Sequence, residues 1–304
     1  MKKNLILLVI IAFFRFENVQ GETIFTPSDT LNETRLNSFL IASGVGLTGT
    51  IVGLNELWYA DHARSSFHFQ DDIEHWQGMD KLGHATTAYW MGYYGMQSLN
   101  WAGVSRNRAV WYGGMYGLPF LTAVEVLDGF SEAWGFSPSD QAANVLGAAL
   151  LIGQEKAWQE QRFQLKFSFS ASGLAEYRPE LLGSNFIEES LKDYNAQTYW
   201  LSFSANKVVP GSPLPDWLNI SPGYSGNNML GSVQNPSVNS AGETLPKLER
   251  HPQFYLSLDV NWLNVEVENP YLNNLINALA FIKIPFPAME YNRKEGIEAH
   301  WLYF

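Results

Sequence analysis

The hydrophobic pattern of this chain changes period near Glu160, and that change limits the folds open to it. Before it, apolar stretches of helix length, rich in Gly and Ala, recur at residues 38–57, 82–99, 109–127 and 139–156. After it, apolar and polar residues alternate. In QRFQLKFSFS, Phe163, Leu165, Phe167 and Phe169 interleave with Gln164, Lys166, Ser168 and Ser170, the period of a half-buried strand. The pattern predicts an α+β chain. An N-terminal antiparallel helical bundle of about four apolar helices should occupy residues 22–160, and a β-rich half residues 161–304.

In the second half, residues 199–209, 217–224, 254–262 and the closing GIEAHWLYF join the first strand, for about five strands in all. Residues 225–250 are rich in Gly, Ser, Asn and Pro and read as a long loop. One or two short helices complete this half. In residues 271–281, Leu272, Leu275, Ile276 and Leu279 share a helical face, and Pro285 and Pro287 end the element. Phe304 is the residue type that closes outer-membrane barrels, but about five strands fall short of the eight such barrels need. A complete barrel is therefore not expected.

The N-terminus has the layout of a secretory signal: Lys2 and Lys3, an apolar run over residues 5–14, and Val19-Gln20-Gly21 at the cleavage position. The run is too short to span a bilayer unaided. Residues 1–21 are thus expected to be a signal peptide, and the chain to be exported to a bacterial periplasm, in association with the outer or inner membrane. The apolar stretches that follow have charge-free cores mostly shorter than the ~20 residues of a full span. Pro119 should kink the third. A bundle dipped in lipid and a four-span protein are both consistent with this pattern. Gly49 and Gly53 have the GxxxG spacing that lets helices approach closely.

The net charge of −11 argues against nucleic-acid binding, which needs a basic face. The sequence holds no cysteine, which excludes disulfides, thiolate metal sites and a lipid-modified cysteine. No nucleophile elbow, phosphate-binding loop, dinucleotide fingerprint or HExxH occurs.

Antiparallel packing of the helices would bring three helix ends together. That end carries Asp80, Lys81, His84, Glu125, Asp128, Asp140 and Asn144. Asp80 and His84 are four apart, Glu125 and Asp128 three, Asp140 and Asn144 four, so each pair shares a face. Gly147 on the same side would permit close packing. Simpler roles exist for several of these. Asp80 suits a first helical turn, and Asp140 follows Ser137-Pro138 as in a capping box. Asn144 could bond between helices, and His84 could be a satisfied core histidine. Glu125 and Asp128 resist such roles. They sit near a helix C-terminus, where the dipole opposes an acid by roughly 0.3–1 kcal/mol each. A buried Glu125 needs a partner, and Lys81 and His84 are the nearest candidates. The cluster is then an ion-pair network, a metal site or a catalytic site. The catalytic candidates are His84, Glu125, Asp128 and Asp140. The binding candidates are Asp80, Lys81, His84 and Asn144. For a divalent metal, should one bind, the candidates are His84, Glu125 and Asp128.

Asp80-Lys81-x-x-His84, Glu125-x-x-Asp128 and Ser139-Asp140-x-x-x-Asn144-x-x-Gly147 together resemble the pattern of the YfiM-like predicted periplasmic lipoproteins. VanZ-like membrane proteins show a similar set over the helical half alone. The KDYNAQTYWLS segment (192–202) and the KIPFPAMEY run (283–291) resemble the longer envelope members of the first family. The resemblance implies an envelope location and carries no established reaction. Two departures matter. There is no cysteine to lipidate, and the arginine that VanZ-like chains often place before the DxxxN helix is missing between Asp128 and Asp140.

His62, His68 and His75 lie just upstream with Asp71, Asp72 and Glu74 among Phe67, Phe69 and Trp76. None has the spacing of a helical zinc pair. An amphipathic surface segment facing the bundle or a membrane is the reading the pattern favours. Two functions compete. One is a non-catalytic envelope protein, structural or binding, in which the cluster ties helices together and the β-rich half meets a membrane lipid or an envelope protein. The other is a membrane-associated enzyme or metal-dependent binder acting on a lipid or lipid-linked head group, with Lys81 as a phosphate contact.

Overall fold

A computed structural model describes residues 25–59, 62–209, 211–265 and 267–304. The expected signal peptide lies outside the described residues. The fold is α+β. Helix α1 (Glu33–Leu54) is followed by α2 (Met79–Trp101), α3 (Gly117–Gly129) and α4 (Pro138–Ala157). Then come β1 (Phe163–Phe169), α5 (Phe186–Lys192), β2 (Gln197–Ser204), β3 (Leu218–Asn227), β4 (His251–Val260), α6 (Pro270–Ala278), β5 (Phe286–Asn292) and β6 (Gly296–Tyr303).

The expected four-helix bundle is not what forms. Helices α2, α3 and α4, with the helical stretch Ala109–Gly113, pack together, whereas α1 buries none of its residues. The reason lies in its sequence. Between Arg35 and Glu56 it is apolar on all sides, so no single face is selected for the core. It is long and apolar enough to cross a membrane. Gly49 and Gly53 meet nothing in the chain, so the GxxxG spacing is not used within it. Pro119 starts a helix rather than kinking one: α3 begins at Gly117, where a missing N–H costs nothing.

Close packing within the bundle depends on small residues. A Cβ on Gly147 of α4 would collide with the Ala85 carbonyl of α2, and one on Gly92 with the Gly114 carbonyl. These contacts let Tyr89, Trp90, Tyr93, Leu151 and Ile152 form one core with Val110. The same core takes in Leu165, Trp262 and Phe281 from the β-rich half. Trp90 Nε1 donates to the Leu165 carbonyl of β1 at 2.5 Å, which fixes helix on sheet.

The sheet has six antiparallel strands in sequence order. The strand missing from the expected five is β5, which contains Pro287. Proline lacks the ladder donor, and it sits beside a register irregularity between Phe286 and Ala288, where it is tolerated. The sheet curls until its ends approach. Residues flanking Ile282 pair in parallel with Phe167 of β1, and Thr198 of β2 meets Tyr303 of β6, their hydroxyls 3.2 Å apart.

The curl encloses polar side chains. Lys166 Nζ lies 2.6 Å from Asp259 Oδ2, both fully buried. Ser202 donates to the same carboxylate oxygen at 2.9 Å, and Gln164 to Asn261 at 2.8 Å. In β4 the buried positions are His251, Gln253, Tyr255, Ser257 and Asp259, while Phe254, Leu256 and Leu258 face out. Strand β1 alternates with period two as its sequence predicts, but it is Gln164, Lys166 and Ser168 that are fully buried.

Candidate functional site

The backbone leading to the site is unusual. Trp76 and Gln77 have φ of 50° and 54°, and Gly78 has 78°, so three successive residues are left-handed just before α2. Such a conformation costs roughly 1–2 kcal/mol for each residue with a Cβ, and it persists only where surroundings hold it. The β-rich half does so. Trp76 N donates to the Ser232 carbonyl at 2.7 Å, the Tyr224 hydroxyl donates to the Gln77 carbonyl at 2.7 Å, and the Trp76 ring packs on Tyr194. The turn delivers Asp80, Lys81 and His84 on the first two turns of α2.

Helix α4 begins as the sequence implies. Ser137 caps it, its Oγ accepting from Asp140 N at 3.0 Å, with Pro138 next. Asp140 and Asn144 then face α2. Helix α3 ends with Glu125 and Asp128, and the three helix ends meet.

Lys81 Nζ lies 2.8 Å from Asp72 Oδ2, 3.2 Å from Asp80 Oδ2 and 2.8 Å from Asp140 Oδ1. Asp72 Oδ1 accepts from Ser137 and Ser139 hydroxyls at 2.6 and 2.7 Å. On the other side of the same acids stands His84. Its Nε2 is 3.8 Å from Asp80 Oδ1, 3.6 Å from Glu125 Oε1 and 4.0 Å from Asp140 Oδ2. Its Nδ1 is 3.1 Å from Asn144 Oδ1. The contact with Asn144 sets the ring's orientation. Glu125 Oε2 accepts from Ser137 N at 3.0 Å. Asp128 is occupied elsewhere, accepting from the Tyr59 hydroxyl at 2.7 Å.

Four carboxylates, those of Asp72, Asp80, Glu125 and Asp140, thus surround Lys81 and His84. Burial raises the Glu125 carboxyl to about 8, with only partial relief from His84. It raises Asp128 to about 7, and burial together with the Asp80 charge raises Asp140 to about 7. Burial would also raise Asp72 and Asp80, but hydrogen bonds from Lys81, Ser137 and Ser139 hold Asp72 well below the usual range, and His84 and Lys81 hold Asp80 down. Burial would lower His84, yet Asp80, Asp140 and Glu125 outweigh it and raise it. The site is neither an open pocket nor sealed: the His84 side chain is 17% exposed and Glu125 2%.

Asp80, Lys81, His84, Glu125, Asp140 and Asn144 therefore converge, while Asp128 stands to one side with Tyr59. Sequence reasoning placed Asp72 on a surface segment, and it missed Tyr59 and Tyr194. Tyr194 donates to Asp80 Oδ1 at 2.6 Å. It is presented by a turn in which Asp193 accepts from Ser172 and Asn195. The KDYNAQ segment was the available signal for it. Of the upstream histidines, His62 packs edge-on against Trp134 and His68 Nδ1 faces Ser65 and Ser66. The group of acids and histidine with metal-binding spacing here is Asp80, His84 and Asp140, which shares His84 with the expected His84, Glu125 and Asp128 but contains neither of those two acids.

Residues 67–153 match a family model described as "Predicted periplasmic lipoprotein (DUF2279)". The matched region contains every member of the cluster except Tyr59 and Tyr194. The match agrees with an exported, periplasmic, membrane-associated protein. No curated protein and no solved structure matches the chain.

Proposed function

We propose that this periplasmic chain binds a divalent cation between His84 and the carboxylates of Asp80, Glu125 and Asp140, and uses it to engage a polar head group. The observation that carries the reading is the surroundings of His84 Nε2. Three carboxylate oxygens face it at 3.6–4.0 Å, all beyond hydrogen-bond reach. Without a proton, its lone pair faces three carboxyl oxygens and no donor within hydrogen-bond distance. With one, it finds no acceptor close enough. A cation in their midst would satisfy all four atoms. Metal bonds of 2.0–2.2 Å to N and O ligands set ligand–ligand separations of roughly 3.4 Å in a tetrahedral shell. The ligand atoms of Asp80, His84 and Asp140 already lie within 4.8 Å of one another, and Glu125 would have to move in to complete the shell. Asn144 then plays the usual role of an outer partner that fixes the ligating histidine. A nitrogen-and-oxygen donor set suits zinc or manganese over softer metals. Lys81 beside the cage would meet a phosphate.

A second reading is favoured by Lys81 itself, which already reaches three of the acids. In it the cluster is a structural network in a non-catalytic envelope protein. Calorimetric titration of the chelated full chain with Zn²⁺ and Mn²⁺ separates the two. Saturable one-to-one binding that disappears in His84→Ala supports the cation site. Absence of binding in a folded wild-type chain leaves the structural network.

A further inference from the structure

The β-rich half is inverted relative to an ordinary sheet packed on helices. A soluble antiparallel sheet puts apolar residues inward and polar residues toward water. Here the curl encloses the Lys166–Asp259 pair and its hydrogen-bonded neighbours, so much of the inner face is a polar interior. Trp200, Tyr255 and Ala288 pack inside with them, but the other large apolar side chains of β1, β4 and β5 are on the outside. Helix α2 covers that outer face at β1 and β2. Over β4, β5 and β6 it continues uncovered.

The strand register arranges this face in rows. Phe254 pairs with Tyr291, and Tyr291 with Ile297. The next row pairs Leu256 with Met289 and Met289 with Ala299. Leu258 lies beyond, on β4, and Trp301 on β6. The row through Phe254 is largely aromatic and the middle row is aliphatic. Exposure reaches 71% at Ile297 and 88% at Trp301. The outward positions of β4 and β5 carry no Asp, Glu, Lys or Arg. A protein partner would be expected to find hydrogen-bonding groups among the apolar ones. Here the outward rows offer the Tyr291 hydroxyl and the Trp301 indole N–H as their hydrogen-bonding side chains, and a surface so poor in them, aliphatic at its middle and aromatic at its side, matches lipid.

We propose that the outer face of β4–β6 is a bilayer-contacting surface, seated face-on in the hydrocarbon of a phospholipid membrane. Strand β6 is the last in the sheet order, and an open strand edge is not tolerated across hydrocarbon. The sheet therefore lies on the membrane and does not cross it. The proposal is independent of the cation site and of α1.

The absence of cysteine makes the test direct. Met289→Cys, Ile297→Cys and, as a water-facing control, Glu132→Cys are each labelled with a small fluorophore in the full chain. Fluorescence is read with and without phosphatidylethanolamine–phosphatidylglycerol vesicles carrying nitroxide on the acyl chain. Labels at 289 and 297 should be quenched several-fold by the acyl-chain nitroxide and become shielded from aqueous iodide, while the label at 132 stays iodide-accessible. Adding Leu256→Lys should restore iodide access at 297, with circular dichroism reporting that the sheet persists. Two outcomes overturn the proposal: sheet labels that remain iodide-accessible with vesicles, or labels equally shielded without lipid in a self-associated chain, which would make a second copy the occupant.

Discussion

The Tyr194 hydroxyl donates to Asp80 Oδ1 at 2.6 Å, joining the turn before β2 to the first turn of α2 across 114 residues of sequence. The cluster is thus not a property of the bundle alone. The β-rich half holds the left-handed turn at Trp76–Gly78 and supplies a donor to the acid that sits between Lys81 and His84.

Tyr194→Phe removes that donor and leaves the ring packed on Trp76. Asp80 keeps some solvent access, so the expected loss is about 1–2 kcal/mol, the lower part of the range for a hydrogen bond to a charged group. Urea denaturation of variant and wild type measures it. A variant of unchanged stability would remove Tyr194 from the network.

Lys81→Ala strips the shared cation from Asp72, Asp80 and Asp140. Removing one partner from a mostly buried ionic cluster costs about 3 kcal/mol. Thermal melts should show a large drop in Tm, partly recovered on adding Asp72→Asn, because fewer uncompensated acids remain.

Stability should depend on pH in a definite direction. Glu125 is held at about 8 against 4.5, and Asp128 and Asp140 at about 7 against 3.8. The folded chain keeps protons there that the unfolded chain has lost, so stability falls as pH rises from about 4 to 8. His84 acts the same way: its raised value contributes fully below 6.5 and is lost as pH rises through the folded value. Asp72 and Asp80 act oppositely, contributing above 3.8 and losing that contribution on acidification. The chelated protein should therefore melt highest near about pH 4–5. A flat profile between pH 5 and 8 would contradict the assignment.

Gly147→Ala tests the approach of α2 and α4, since its Cβ would collide with the Ala85 carbonyl. Separating the helices costs about 1–3 kcal/mol as overpacking. It should also weaken cation binding, because His84 and Asp140 lie on the two helices forced apart. Gly153→Ala, which meets nothing, is the control and should be neutral or slightly stabilising.

The sequence by itself determined the class of each half and the meeting of three helix ends. Helical spacing is local, so Asp80 and His84, or Asp140 and Asn144, share a face whatever surrounds them. The Ser137-Pro138 start of α4 was equally local. Only tertiary structure decided the rest. Period-two alternation gives the two faces of a strand but not which one is inside, because that depends on whether the sheet packs on something or curls on itself. Here it curls, and Lys166 and Asp259 are inside. Hydropathy predicts α1 as a helix but not its packing: Leu36 and Phe39 touch the bundle core and the helix buries none of its residues, since an evenly apolar cylinder specifies no face for packing. Asp72, Tyr59 and Tyr194 joined the cluster through contacts spanning many residues, such as the 69 between Tyr59 and Asp128. Spacing along the chain carries no information about such contacts.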